Sequence, residues 1–265
     1  MYYYDMQNQK EILENISTRI EVKKEPFPFF FLENFLPSDF AKKAENEFNN
    51  FSKLQNAGNA RYQKTKLVFN NYSEMPETIQ KIIKFLYSSE FLKILENKFN
   101  LNNLEPDWSL HGGGMHQSFN GGFLKVHSDF IYKRKSKQRR VLNLLLYLNS
   151  EWKKEWNGSL ELWDKEMKNL KFSASPILNN VVVFRTDQDS NHGFPEPVAC
   201  PSNQSRSSLA LYYYTREKSF FPLSFKKRKY FHAVWKSRPE KNEPTFSDQN
   251  SFFKKLKNKF FYRLF

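Results

Sequence analysis

His127 and Asp129 stand two residues apart in the run FLKVHSDF. In an extended strand successive side chains point to opposite faces, so this imidazole and this carboxylate share a face and can reach one metal ion. A second imidazole from a distant strand would complete the 2-His-1-carboxylate arrangement that holds Fe(II) with open coordination positions. His192, in NHGF, is the best candidate for it. His111 and His116 read as loop or strand histidines satisfied by their surroundings, and His232 lies in a basic tail.

Such a site needs a scaffold, and composition allows one. The 265 residues, 39% hydrophobic and 17% aromatic, suffice for one large globular domain with its own core. The longest apolar runs, Phe27 to Leu32 and Leu144 to Leu148, fall far short of the roughly 18 residues of a membrane span, so no spanning helix is expected. Met1 to Lys10 lacks a basic start followed by an apolar stretch, so no secretory signal is read there. With Cys200 alone no intrachain disulfide can form, and a reducing, cytoplasmic compartment is the expectation. Charge is uneven. Residues 216 to 265 hold 14 Lys and Arg against 4 Asp and Glu, a net +10 of the chain's +14. A near-neutral body with a basic tail suggests an acidic partner for the tail rather than a surface built for nucleic acid.

The pattern divides into helices first and strands after. A weak helical pattern surrounds Ile12 to Ile16. Phe27 to Phe35 reads as a buried strand, Ser38 as the N-cap of a helix carrying Phe40, Ala41, Ala44 and Phe48, and Lys66 to Phe69 as a short strand. Pro76 suits the first turn of a helix with Ile79, Ile82, Ile83 and Leu86 on one face, and a second helix carries Phe91, Leu92, Leu95 and Phe99 to its end near Asn100. From Pro106 the spacing changes to short strands at Phe123 to Asp129, Arg140 to Leu148, Gly158 to Trp163, Asn180 to Thr186 and Ser207 to Tyr214. The glycines from Gly112 to Gly122 are expected to turn the chain tightly or admit another backbone. Strands so spaced indicate a sandwich, barrel or jelly roll.

The ordered runs GGGMHQSFNGGFLKVHSDF, RRVLNLLLYLNSEW, GSLELWD, NHGFPEPVACP and RSSLALYYYT together resemble the prolyl-hydroxylase-like branch of Fe(II)/2-oxoglutarate oxygenases. The similarity covers about residues 105 to 216. It implies a mainly β protein with flanking helices (α+β), whose core is a distorted double-stranded β-helix, or jelly roll, with iron at one open end. On this resemblance residues 1 to 222 form a single oxygenase domain and residues 223 to 265 a basic C-terminal extension.

The resemblance implies His127, Asp129 and His192 as metal ligands. It also implies Arg206 as the anchor for the distal carboxylate of 2-oxoglutarate, since a planar guanidinium grips a carboxylate through two parallel hydrogen bonds. Ser208, two residues on, and Tyr147, in LYLN, would add hydroxyl donors. Arg140 would lie near the substrate entrance, and Gln117 and Leu145 would line the cavity. The interval from His192 to Arg206 is longer than in similar prolyl hydroxylases, with FPEPVACPSNQS between. The implied reaction uses Fe(II), 2-oxoglutarate and O2 to hydroxylate a C–H bond of a peptide or small molecule, peptidyl proline among them, releasing succinate and CO2. Asp129 favours hydroxylation, because halogenating relatives lose this carboxylate. Two alternatives stand beside this: a nucleic-acid demethylase of the same superfamily, whose second strand arginine is missing after Arg206, and a non-catalytic jelly-roll binding module.

In the tail, Phe253, Leu256, Phe260 and Leu264 recur at helical spacing among Lys254, Lys255, Lys257, Lys259 and Arg263, with Lys226 to Lys229 upstream. Such a segment suits an anionic membrane surface, or else docks on the barrel or a partner subunit.

Overall fold

The computed structural model describes residues 6–57, 62–133, 138–216 and 232–239. In chain order these form α1 (Met6–Arg19), β1 (Phe29–Leu32), α2 (Ser38–Asn49), β2 (Gln55–Asn56), β3 (Gln63–Phe69), α3 (Glu77–Leu86), α4 (Ser89–Phe99), β4 (Glu105–Pro106), β5 (Gly114–Ser128), β6 (Tyr132–Lys133), β7 (Gln138–Tyr147), β8 (Leu160–Trp163), β9 (Leu170–Ala174), β10 (Val181–Arg185), β11 (Asn191–Phe194), β12 (Arg206–Arg216) and β13 (Val234–Trp235). The residues Gly58 to Arg61, the centre of the loop from Lys133 to Gln138, Lys226 to Lys229 and the tail from Ser251 lie outside the described residues.

All pairings are antiparallel, in the order β1-β10-β7-β12-β5-β11-β8-β9. β5 belongs to both halves. Its first part, Gly114 to Ser118, lies between β12 and β3, and its last part, from Leu124, pairs with β11. The ladder therefore folds over on itself along β5, which is the double-stranded β-helix expected.

Alternation along the strands sorts core from cavity. Leu142, Leu144 and Leu146 of β7, Val181 and Val183 of β10, and Leu209, Leu211 and Tyr213 of β12 pack with Ile79, Ile82, Ile83, Phe91 and Leu95 of the helices. Each fully buried Leu or Ile here contributes about 1.5–3 kcal/mol. The opposite parity faces the barrel interior, where Tyr147, Val182 and Phe184 meet Leu160 and Leu162. The helix layer thus anchors one face of the sheet and leaves the other for chemistry.

Local chemistry sets the helix ends. Ser38, expected as an N-cap, is instead the first helical residue. Pro37 holds the cap position, and its carbonyl accepts from the Phe40 and Ala41 amides. α3 follows Pro76, which likewise occupies the cap. α4 starts at Ser88, whose hydroxyl accepts from the Phe91 amide at 3.3 Å, and ends at Asn100 in the left-handed conformation.

β5 is much longer than the strand expected from Phe123, because the glycine-rich stretch before it is extended. Residues 232–239 also depart from a boundary at 222. β13 pairs Val234 with Ser128 and Trp235 with His127, the Lys236 amide donates to Val126 O, and Arg238 pairs with Glu196 at 2.6 Å.

Candidate active site

A cavity of about 230 Å³ opens between the two halves of the barrel. His127, near the end of β5, and His192, second in β11, are register partners, so their rings project side by side with centroids 4.6 Å apart. Gly193 makes this approach possible. A Cβ there would lie 2.8 and 2.9 Å from the carbonyl oxygens of Leu124 and Lys125 on β5.

Asp129 follows directly. Its oxygens lie 3.6 Å from His127 Nε2 and 3.5 Å from His192 Nε2, and one ligand atom from each of the three residues falls within 4.8 Å of the others. The tautomers are fixed by the backbone. His127 Nδ1 lies 2.9 Å from Lys125 O and His192 Nδ1 2.9 Å from Ser190 O. A carbonyl oxygen can only accept, so each Nδ1 donates to the backbone and each Nε2 is turned toward Asp129. Burial, with His127 beside it, lowers the His192 pKa to about 4, so its imidazole is neutral. Two imidazoles and one carboxylate converging on a point fit a divalent iron.

Asp129 is held from behind. Asn143 Nδ2 donates to Oδ2 at 2.6 Å, and Arg140 Nη1 lies 3.0 Å from the same oxygen. Burial raises the carboxyl pKa, but the opposing interactions, led by the Arg140 guanidinium, keep Asp129 well below the usual carboxylate range. Arg140 is itself 1% exposed and sandwiched between Phe130 and Tyr212, at 4.0 and 3.8 Å from their ring centroids. The structure therefore puts Arg140 against the carboxylate rather than at an exposed entrance.

Arg206 opens β12 at the far end of the cavity. Its Nε donates to Gly158 O at 2.6 Å, its Nη2 lies 3.4 Å from Tyr147 Oη, and its guanidinium sits 4.1 Å from the Phe194 ring centroid. Among the described residues Nη1 has no acceptor. Ser208 lines the same wall and is the register partner of Tyr147, and Leu145 lines it one pair further along. The long interval before Arg206 does not displace the arginine. Val198 and Cys200 pack with Trp152 and Phe194, and Val198 exchanges backbone hydrogen bonds with Gly121 and Gly122.

Gln117 is not at this wall; it bonds Ser205 Oγ at 2.8 Å on the other face of β5. The physical reason is a change of parity. Counting by twos from His127 reaches Gln117, but β5 is irregular at 119–122, where four residues lie between the pairs Lys64–Phe123 and Lys66–Ser118 and Gly121 has φ +76°. His116 and Ser118 face the cavity instead. His116 Nε2 is buried without a hydrogen-bond partner, and burial, with Lys66 and Arg206 nearby, keeps its ring neutral. Sequence reasoning also missed Lys66 and Trp235, both cavity-lining. The Trp235 ring lies 4.9 Å from that of His127 and stacks on Tyr62 at 4.6 Å. An aromatic residue in a basic tail gave no sign of this.

Comparison with known proteins agrees with this geometry. Residues 113–214 match the family model described as the 2OG-Fe(II) oxygenase superfamily. No curated protein matches the chain in sequence. Solved structures share its fold. A prolyl-4-hydroxylase from Pseudomonas putida aligns at 15% identity and TM-score 0.52, over 79% of this chain and 99% of that one. A prolyl hydroxylase from Trichoplax adhaerens, in complex with a hypoxia inducible factor oxygen degradation domain peptide fragment, aligns at 17% and 0.55, over 81% and 94%. HygX from Streptomyces hygroscopicus, with nickel, 2-oxoglutarate and hygromycin B bound, aligns at 10% and 0.50, over 72% and 83%. Residues 113–214 thus match the model of the 2OG-Fe(II) oxygenase superfamily, and the chain shares the fold of the prolyl hydroxylases it aligns with.

Proposed function

We propose that this protein is an Fe(II)- and 2-oxoglutarate-dependent dioxygenase that hydroxylates a C–H bond of a peptide or small molecule. One observation carries the reading: the His127, Asp129 and His192 donor set faces one cavity with Arg206, whose Nη2 lies against the buried Tyr147 hydroxyl. Bound iron, with 2-oxoglutarate and O2, would supply the oxidation, leaving succinate and CO2. The protein's own residues do the rest. His127, Asp129 and His192 hold the metal, and Arg140 and Asn143 orient Asp129. Arg206, Tyr147 and Ser208 receive the distal carboxylate, while Leu145 and Trp235 keep water from the reacting centre. A single oxygenase domain up to residue 222, to which residues 232–239 return, is the organisation this implies. Peptidyl proline is a substrate suggested by the Trichoplax relative's complex, and a small polar molecule by that of HygX.

The test is incubation of the iron-loaded protein with 2-oxoglutarate and a peptide and metabolite library, scoring succinate and products that gain one oxygen. His127→Ala should lose iron and turnover. Arg206→Ala should weaken 2-oxoglutarate binding by about 2–5 kcal/mol, and Tyr147→Phe by about 0.5–1.5 kcal/mol. Full activity in His127→Ala, or binding without turnover of any kind, would remove the enzyme reading.

For the tail beyond Asn250, residue spacing alone supports an amphipathic segment attracted to anionic lipid. Vesicle co-sedimentation of the full chain and of one ending at Asn250 tests it, and equal binding assigns the tail to the barrel or a partner subunit.

A further inference from the structure

Three strands bring one row of side chains to the Arg206 end of the cavity. Lys66 of β3 pairs with Ser118 of β5, and Ser118 pairs with Arg206 of β12. Directly opposed residues project from the same face, so Lys66 and Arg206 reach into the cavity from backbones about 10 Å apart. Both line it.

Lys66 is there because β3 is irregular. In a regular strand Gln63 and Thr65 would share the cavity face and Lys66 would turn away. The ladder slips between Lys64 and Lys66, and Thr65 takes φ +49°, a sparsely populated region for a β-branched residue. The extra residue puts Gln63 and Lys66 on the cavity together. Bulges beside active sites re-aim side chains in this way.

The ammonium so placed has no hydrogen bond or ion pair among the described residues. Burial lowers its pKa to about 8; Asp129 acts against this and Arg206 with it, so Lys66 senses both the metal-ligand carboxylate and the anchor. The charged side chains lining the cavity are Lys66, Arg140, Arg206 and Asp129. Arg140 and Asp129 pair at 3.0 Å and cancel. Lys66 and Arg206 remain as cations without an anionic partner among the described residues, on one row of the cavity wall.

We propose that Lys66 is a second cation of the cosubstrate site: Arg206 binds the distal carboxylate of the dicarboxylate, and Lys66, on the same row across Ser118, adds positive charge at that end of the cavity. This rests on the 2-oxoglutarate reading above. The experiment is equilibrium dialysis of 2-oxoglutarate against the full-length protein loaded with Mn(II), with Mn(II) affinity and melting temperature measured alongside. Lys66→Met keeps the side-chain length and removes the charge, and should bind 2-oxoglutarate at least about tenfold more weakly. Lys66→Arg should stay within about threefold of wild type, and both should hold Mn(II) as wild type does. Wild-type 2-oxoglutarate affinity in Lys66→Met, with Arg206→Ala weakened, overturns the role of Lys66 and leaves the oxygenase reading standing. Failure of the wild-type protein to bind 2-oxoglutarate removes both.

Discussion

Asp129 carries its charge where burial alone would neutralise it, and Arg140 is the reason. Removing one partner of a buried pair strands the other, at about 3–5 kcal/mol. Arg140→Met should therefore lower the stability of the metal-free protein by roughly that amount. A metal on Asp129 would replace the lost positive charge, so added Mn(II) should raise the melting temperature of the variant more than that of wild type. Calorimetry with and without metal checks this, and an equal gain in both would contradict it. At this scale the sequence was legible wherever strand periodicity was regular. His127 and Asp129 come together because Asp129 directly follows the regular end of β5, two residues on from His127, and Arg206, Ser208 and Tyr147 come together across one register pair. Gln117 was misplaced and Lys66 overlooked for a common reason. Bulges at 119–122 and at Thr65 each reverse parity, and residue types alone do not announce a bulge.

The elements that sequence patterning located are those with long amphipathic stretches, α2 to α4, β7, β10 and β12. β11 is four residues, NHGF, too short for a period, so patterning drew no strand there although His192 itself stood out as a candidate ligand. β13 is shorter still and sits in a segment whose charge suggested solvent. The loop entering β8 shows how little sequence is needed to place a functional group. Gly158 has φ +75°, its carbonyl accepts from Arg206 Nε, and a Cβ would meet Arg206 Cδ at 3.1 Å. Gly158→Ala should destabilise the fold by about 1–2 kcal/mol from the left-handed backbone alone. It should also weaken 2-oxoglutarate binding by displacing the guanidinium, while leaving Mn(II) affinity unchanged. Denaturant titration and dialysis separate the two effects, and unaltered cosubstrate affinity would show that Arg206 is not held by this turn.

Across the whole molecule, helices cover one face of the larger sheet and the cavity occupies the other. Among the described residues no helix is long and apolar enough to cross a membrane. The strand common to both halves has a further effect on what the cavity accepts. Ser118, beside the anchor, and His127, the first proposed metal ligand, lie on one continuous strand, β5, rather than on two sheets docked against each other. Their separation is set by one backbone path, paired to neighbouring strands on both sides of the bulge at 119–122, so the barrel carries a built-in ruler. A diacid one carbon shorter, oxaloacetate, or one longer, 2-oxoadipate, would sit about 1 Å or more out of place at one end. A displacement of that size costs on the order of 10²-fold in rate. Competition against 2-oxoglutarate should show both homologues as poor cosubstrates, and equal use of all three would mean that the strand yields. The chain would then be selective for the length of its cosubstrate through a single strand, whatever substrate the surrounding loops admit.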